Sequence, residues 1–200
     1  METLTLKIWK THPSVNLPSH QTEQSACFDL AFQTGGKSTC SGYSQFNKPI
    51  NRAMKDSLTI SPGDRMMVPT GLVFDIPEGY SVRVHARSGM SLKQGLTLVN
   101  AEGVIDADYV QEAFVLIHNI SGNPVTIKAG DRIAQAELVK NVEYKIEQIS
   151  YMPMVKTSRI GGFGSTGITN QGQLISINTE TVFNNNEIVK RGRGRPRKNA

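Results

Sequence analysis

The stretch YSVRVHARSGMS, from Tyr80 to Ser91, changes character halfway along. Tyr80, Val82 and Val84 alternate with Ser81, Arg83 and His85. A chain whose side chains repeat every two residues would place the first set on one face and the second on the other. That pattern predicts a half-buried β-strand. The continuation, Arg87, Ser88 and Gly89, is polar and turn-forming. An Arg fork, a hydroxyl and free backbone N–H groups are what a phosphate chain requires. A plain turn between strands accounts for the same three residues equally well.

The same period recurs outward from this point. Leu4, Leu6 and Ile8 alternate with Thr5, Lys7 and Trp9, and further strands are expected over Met66–Ile76, Glu112–Ile120, Pro124–Ile127 and Arg132–Val139, all rich in Val, Ile or Phe. SPGD at Ser61, PEG at Pro77, SGNP at Ser121 and AGD at Ala129 supply Pro or Gly where the chain must reverse. Many short strands with close-set turns predict an all-β sandwich or barrel. Two regions depart from the pattern. Residues 33–57 are polar and turn-rich and are expected to form a long surface loop or insertion. Residues 168–200 are rich in Asn and Thr, hold too few apolar side chains for a core, and are expected to be a flexible extension.

Composition sets outer bounds. With 200 residues, 38% hydrophobic and 20% charged, the chain has the makeup of one soluble domain with appendages. It holds no apolar run of the roughly 18–20 residues that span a bilayer, and no signal-peptide core, so a cytoplasmic protein without membrane contact is expected. Cys27 and Cys40 are expected to be free thiols, because a reducing compartment does not sustain a disulfide. Neither they nor His12, His20, His85 and His118 show the clustered spacing of a zinc site, so no protein-held transition metal is expected. The net charge of +5 is localised: from Glu187 onward six Lys and Arg face that one acid, leaving 16 basic and 16 acidic residues in the rest.

Several short motifs carry chemistry. Asn100 precedes GVIDADY at Gly103–Tyr109, GDRIAQ spans Gly130–Gln135, and GGFGSTG spans Gly161–Gly167. The last is a glycine-rich string that can wrap phosphates, with Phe163 able to lie over a flat base; alone, such a string is more often a flexible linker. In order along the chain, ACFDL from Ala26, ARSGMS from Ala86, GVIDADY, GDRIAQ and GGFGSTG resemble the five ordered motifs of the dUTPase family. The resemblance spans roughly residues 4–167, with 1–167 as the dUTPase domain.

That resemblance implies a jelly-roll-like β fold, a homotrimer whose sites are assembled from neighbouring subunits, and Mg²⁺-dependent hydrolysis of dUTP to dUMP and pyrophosphate. Such a reaction keeps uracil out of DNA and supplies dUMP for thymidylate synthesis. Carried over residue by residue, Asp106 would be the general base that activates water, and would also receive the sugar 3′-hydroxyl. Tyr109 would pack on the deoxyribose and exclude a 2′-hydroxyl. Asn100, with the backbone at Val104 and Ile105, would read uracil. Arg87, Ser88, Gly89 and Gln135 would hold phosphates, and Asp29 would support Mg²⁺ through water, the metal being chelated mainly by the triphosphate. Phe163, Gly164 and Ser165 would belong to a closing lid.

The sequence departs from the family pattern in places. Ser158 stands where the lid arginine is usual, and Arg159, one residue closer to the glycines, would reach the γ-phosphate in its place. Gln111 and Cys27 replace frequent glycines, and residues 33–57 are longer than usual. Arg191–Lys198, RGRGRPRK, resembles an AT-hook and would make weak contact with DNA; a solubilising tail is the alternative. The rival enzyme is a dCTP deaminase of the same fold. A rival of another class is a nonenzymatic regulator that binds dUTP.

Overall fold

The computed structural model describes residues 4–157. The chain divides into two compact units, Met1–Ile146 and Glu147–Ala200. In the second, residues 147–157 are exposed and form neither helix nor strand.

The first unit is all-β with one short helix. In chain order its elements are β1 (Lys7–Lys10), β2 (Phe28–Ala31), β3 (Thr39–Tyr43), β4 (Pro49–Ala53), β5 (Ser57–Ile60), β6 (Arg65–Pro69), β7 (Leu72–Asp75) and β8 (Tyr80–His85). Then follow α1 (Ser88–Gln94), β9 (Leu96–Leu98), β10 (Glu102–Ile105), β11 (Phe114–Asn119), β12 (Val125–Lys128) and β13 (Arg132–Lys140). A four-stranded sheet runs β10-β8-β13-β2 and a five-stranded sheet runs β4-β3-β6-β11-β9, with the pairs β1-β7 and β12-β5 beside them. Neighbouring strands are antiparallel throughout, in the jelly-roll-like arrangement expected.

The core lies where alternation sends the apolar set. Leu30, Val82, Val84, Ala134 and Ala136 from the four-stranded sheet join Met66, Val68, Val115, Ile117 and Leu98 from the five-stranded one, with Leu58, Ile60, Leu72, Phe74 and Ile127 closing the ends. Asn119 is fully buried yet satisfied. Its amide donates to the carbonyls of Ile60 (2.9 Å) and Asn123 (2.8 Å), and its Oδ1 accepts from the backbone N–H and the hydroxyl of Ser121.

Three local expectations change. Met66–Ile76 is two strands, because the Gly71 N–H leaves the ladder to donate to Glu112 Oε1 (2.9 Å) while the Thr70 hydroxyl donates to the Ala113 carbonyl (2.6 Å). Residues 33–57 are not simply loop: they contain the hairpin β3–β4, which joins the five-stranded sheet through Gly42↔Met66 and Tyr43↔Arg65. Ser88 and Gly89 open a helical turn rather than a plain reversal.

Both cysteines are free, as read from the sequence. Burial pushes the Cys40 thiol up to about 11, and its Sγ lies 3.2 Å from the Met67 carbonyl. A raised native pKa means that the folded chain holds its proton more tightly than the unfolded one. The associated stability is complete at neutral pH and is lost as pH rises from about 9 to about 11. Urea melts at pH 8 and pH 11 are therefore expected to show a smaller loss of stability across that interval for Cys40→Ala than for the parent chain. Equal losses would refute the assignment.

Candidate active site

Two groups of side chains emerge from the four-stranded sheet and its margins. The first lines a cavity of about 260 Å³. Asn100, Val104, Ile105, Asp106 and Tyr109, all singled out in the sequence, share it with Met67, Gly103, Phe114 and Leu116. Its volume falls below the roughly 300–1,000 Å³ typical of whole-ligand pockets, so it suits part of a nucleotide rather than all of it.

The shape of this cavity follows from the pairing of β8 with β10. Gly103 pairs with Val84, and a Cβ at Gly103 would stand 3.1 Å from Val84 Cβ and 3.4 Å from the Asn100 amide nitrogen. A side chain there would press on Val84 and come into contact with the Asn100 amide. Past Ile105 the chain turns, with the Tyr109 N–H donating to the Asp106 carbonyl (3.1 Å). The Tyr109 hydroxyl donates to the Glu112 carbonyl (3.0 Å), fixing the ring at the mouth. Glu112 is itself held by Lys37 and by the Gly71 N–H.

The second group is ionic. Asp29 on β2 spends one carboxylate oxygen on Arg87 Nε (2.9 Å) and the other on Arg132 Nη1 (2.9 Å). Arg87 Nη1 also donates to the Arg132 carbonyl (2.9 Å). Gln135 Nε2 donates to the Ala86 carbonyl (3.2 Å), bracing the end of β8. A bulge in β13 explains why Arg132 takes part: the register with β2 shifts between Arg132 and Ala134. Ile133 and Ala134 both turn into the core, which puts Arg132 on the outer face with Gln135 and Glu137. Two cations flanking a carboxylate, beside the first turn of a helix without a side-chain cap, make a setting suited to anionic oxygens.

Arg87, Ser88, Gly89, Gln135 and Asp29 do not line the cavity that holds Asp106. Arg159, Phe163, Gly164, Ser165 and the Arg191–Lys198 tail lie outside the described residues. Arg132 was missed as a site residue, although it stands within GDRIAQ; Met67, Phe114 and Leu116 were missed because strand periodicity alone assigns them no special role. Cys27, read as an unremarkable thiol without a metal-type cluster, meets His85 and Glu137 across the sheet. Burial, and after it the carboxylates of Glu137 and Asp29, push its thiol pKa up. Among the described residues, no helix is long and apolar enough to cross a membrane.

An all-β domain with a small apolar-walled cavity and a neighbouring arginine–carboxylate cluster has the makings of a nucleotide-binding protein. The comparisons with known proteins give that class its family. The dUTPase family model matches residues 53–167. A deoxyuridine 5′-triphosphate nucleotidohydrolase of Desulfotalea psychrophila is 36% identical over 155 residues, covering 78% of this chain and 89% of that protein. The chain belongs to the dUTPase family. The dUTPase of Staphylococcus bacteriophage 80alpha, solved with dUPNHPP, shares the fold at a TM-score of 0.64 and 22% identity, over 83% of this chain and 100% of that one. An Asp-to-Asn mutant dUTPase from phage phi11 of S. aureus, solved with a structural Mg(II) ion, shares it at a TM-score of 0.56 and 20% identity, over 74% and 98%.

The doubly bonded Asp29 gives a direct test of the ionic group. Asp29→Asn would leave Arg87 and Arg132 adjacent with only one neutral acceptor, at a cost of about 1–2 kcal/mol after allowance for solvent around the arginines. The loss should shrink in high salt, which screens the repulsion between the two guanidinium groups. A denaturation midpoint unchanged at low salt would show that the bridge contributes nothing.

Proposed function

We propose that this chain hydrolyses dUTP to dUMP and pyrophosphate, with Asp106 as the general base. The observation that carries this reading is the convergence of Asn100, Asp106 and Tyr109 on one cavity. Within that cavity the Asn100 amide offers a donor and an acceptor together, which matches uracil and mismatches cytosine. Tyr109, anchored through its hydroxyl, presents its ring to the sugar and crowds the place of a 2′-hydroxyl. Steric exclusion is needed because apolar pockets reject one added hydroxyl only about 10²-fold. The Asp106 carboxylate aligns a water for in-line attack on the α-phosphorus and takes its proton, and the same carboxylate receives the 3′-hydroxyl.

The phosphates belong with the ionic group. Of the five N–H donors of Arg87, two are used by Asp29 and the Arg132 carbonyl, which leaves three for phosphate oxygens. Ser88 stabilises charge on the leaving oxygen, and the backbone at Gly89 and the amide of Gln135 add donors. Arg159, Phe163, Gly164 and Ser165 are assigned to the lid that closes over base and phosphates.

The chain fits Mg²⁺ only indirectly. Both Asp29 oxygens already accept from guanidinium groups, and the lone pairs that remain, set between two cations, suit metal-bound waters better than direct ligation. When bound, the ion would neutralise the triphosphate that chelates it and fix that chain's conformation.

Assembly as a homotrimer completes the site. Met67, Val99, Val104 and Leu116 are apolar yet each at least 38% exposed. A second cavity, lined by Tyr43, Ile50, Arg65, Met67, Val99 and Leu116, continues this face. An apolar surface of that extent suits a subunit contact, one that would bring a neighbour's phosphate-holding residues to the Asp106 cavity.

Asp106→Asn is expected to lower kcat for pyrophosphate release from dUTP by about 10²- to 10⁴-fold while dUTP still binds. Unchanged turnover would remove Asp106 from the chemistry, and ammonia release from dCTP by the parent chain would favour a deaminase. Separately, Tyr109→Ala should raise UTP turnover relative to dUTP. Comparable use of the two nucleotides by the parent chain would sink the steric argument.

A further inference from the structure

Three side chains outside this machinery converge on the outer face of the four-stranded sheet. Ligand atoms of Cys27, His85 and Glu137 all lie within 4.8 Å of one another. Strand register places them there. Gln135 pairs with both His85 and Asp29, and Ala136 pairs with Phe28, so the next position outward sets Glu137 against Cys27. The alternation that buries Ala136 and Val84 turns Glu137 and His85 outward together.

The spacing is that of a metal's ligands. His85 Nε2 stands 3.2 Å from Glu137 Oε1, close to the edge of a tetrahedron built on bonds of about 2.0–2.1 Å. The other ring nitrogen, Nδ1, lies 3.7 Å from Glu102 Oε1, and Glu102 is held in turn by Arg83 at 3.3 Å. That distance is beyond a hydrogen bond, so Glu102 contributes negative charge on the far side of the imidazole rather than a bond to it. An ion pair between His85 and its two carboxylates would account for the ring but not for the thiol beside it.

We propose that Cys27, His85 and Glu137 form a binding site for one divalent transition metal of the Zn²⁺ class, with water in the fourth position. A sulfur, nitrogen and oxygen donor set selects such an ion and disfavours Mg²⁺, which demands oxygen ligands. On binding, Cys27 becomes a thiolate bonded to the metal and its proton goes to solvent. Each ligand is two residues from a member of the phosphate-holding group: Cys27 from Asp29, His85 from Arg87, Glu137 from Gln135. The ion would therefore clamp β2, β8 and β13 just behind that group.

Titration of the reduced full chain with Co²⁺ tests the site. A thiolate-to-cobalt charge-transfer band and intense visible bands of tetrahedral Co²⁺ are expected to saturate at a single equivalent per chain, to bleach with Zn²⁺, and to persist in excess Mg²⁺. Cys27→Ser should abolish the charge-transfer band, and His85→Ala and Glu137→Gln should each weaken binding and alter the visible bands. Glu102→Gln should keep the spectrum, because Glu102 is not among the ligands. Absence of the charge-transfer band in the parent chain, or its survival in Cys27→Ser, overturns the proposal. If Cys27→Ser does not fold, unchanged spectra and affinity in both His85→Ala and Glu137→Gln overturn it instead.

Discussion

Along β13 the side chains face alternately inward and outward, and one extra residue near its start decides which do which. Without the shift between Arg132 and Ala134, Arg132 would share the inward parity of Ala134 and Ala136 and aim a guanidinium at the core. An unpaired charge there costs far more than one bulge. With the shift, Ile133 takes the inward place and Arg132 reaches Asp29. Asp29 in turn holds Arg87, which fixes the start of α1 relative to β2. The arrangement of charged groups on this face therefore follows from a local irregularity in backbone pairing.

Much of the fold was legible from period alone. The alternation at Tyr80–His85 produced a strand in place, and the segments at Glu112, Pro124 and Arg132 did so within a residue or two. Period could not divide Met66–Ile76, since that break depends on Glu112 and Ala113, more than forty residues away. Nor did composition reveal the hairpin in residues 33–57: its strands are polar because one of their faces meets solvent, and Cys40 is the single fully buried apolar residue on them. Antiparallel sheets hide half of their pattern in this way.

The site was legible unevenly, for a related reason. Asn100, Asp106 and Tyr109 sit within ten residues of one another, and one short stretch of chain around β10 suffices to gather them. Arg132 and Asp29 are 103 positions apart and meet only through cross-strand register. Cys27, His85 and Glu137 are more dispersed still, and their spacing along the chain carries no metal-ligand signature. Close spacing in sequence reports what a loop can assemble, while a sheet collects side chains at intervals that leave no linear signature.

The hairpin β3–β4 has a consequence of its own. Gly42 seats it against β6, where any larger residue would collide with the Arg65 carbonyl, 2.2 Å from the place of a Cβ. By pairing there it occupies one flank of β6 at Arg65 and Met66, while the other flank of that strand is bonded to β11. Stripped of the hairpin, that strand would present open amide and carbonyl groups at Arg65 and Met66, an adhesive border able to recruit strands from other molecules. A segment that looks expendable by its polarity thus serves the sheet as a selvedge, and solubility is a property through which its loss would be felt.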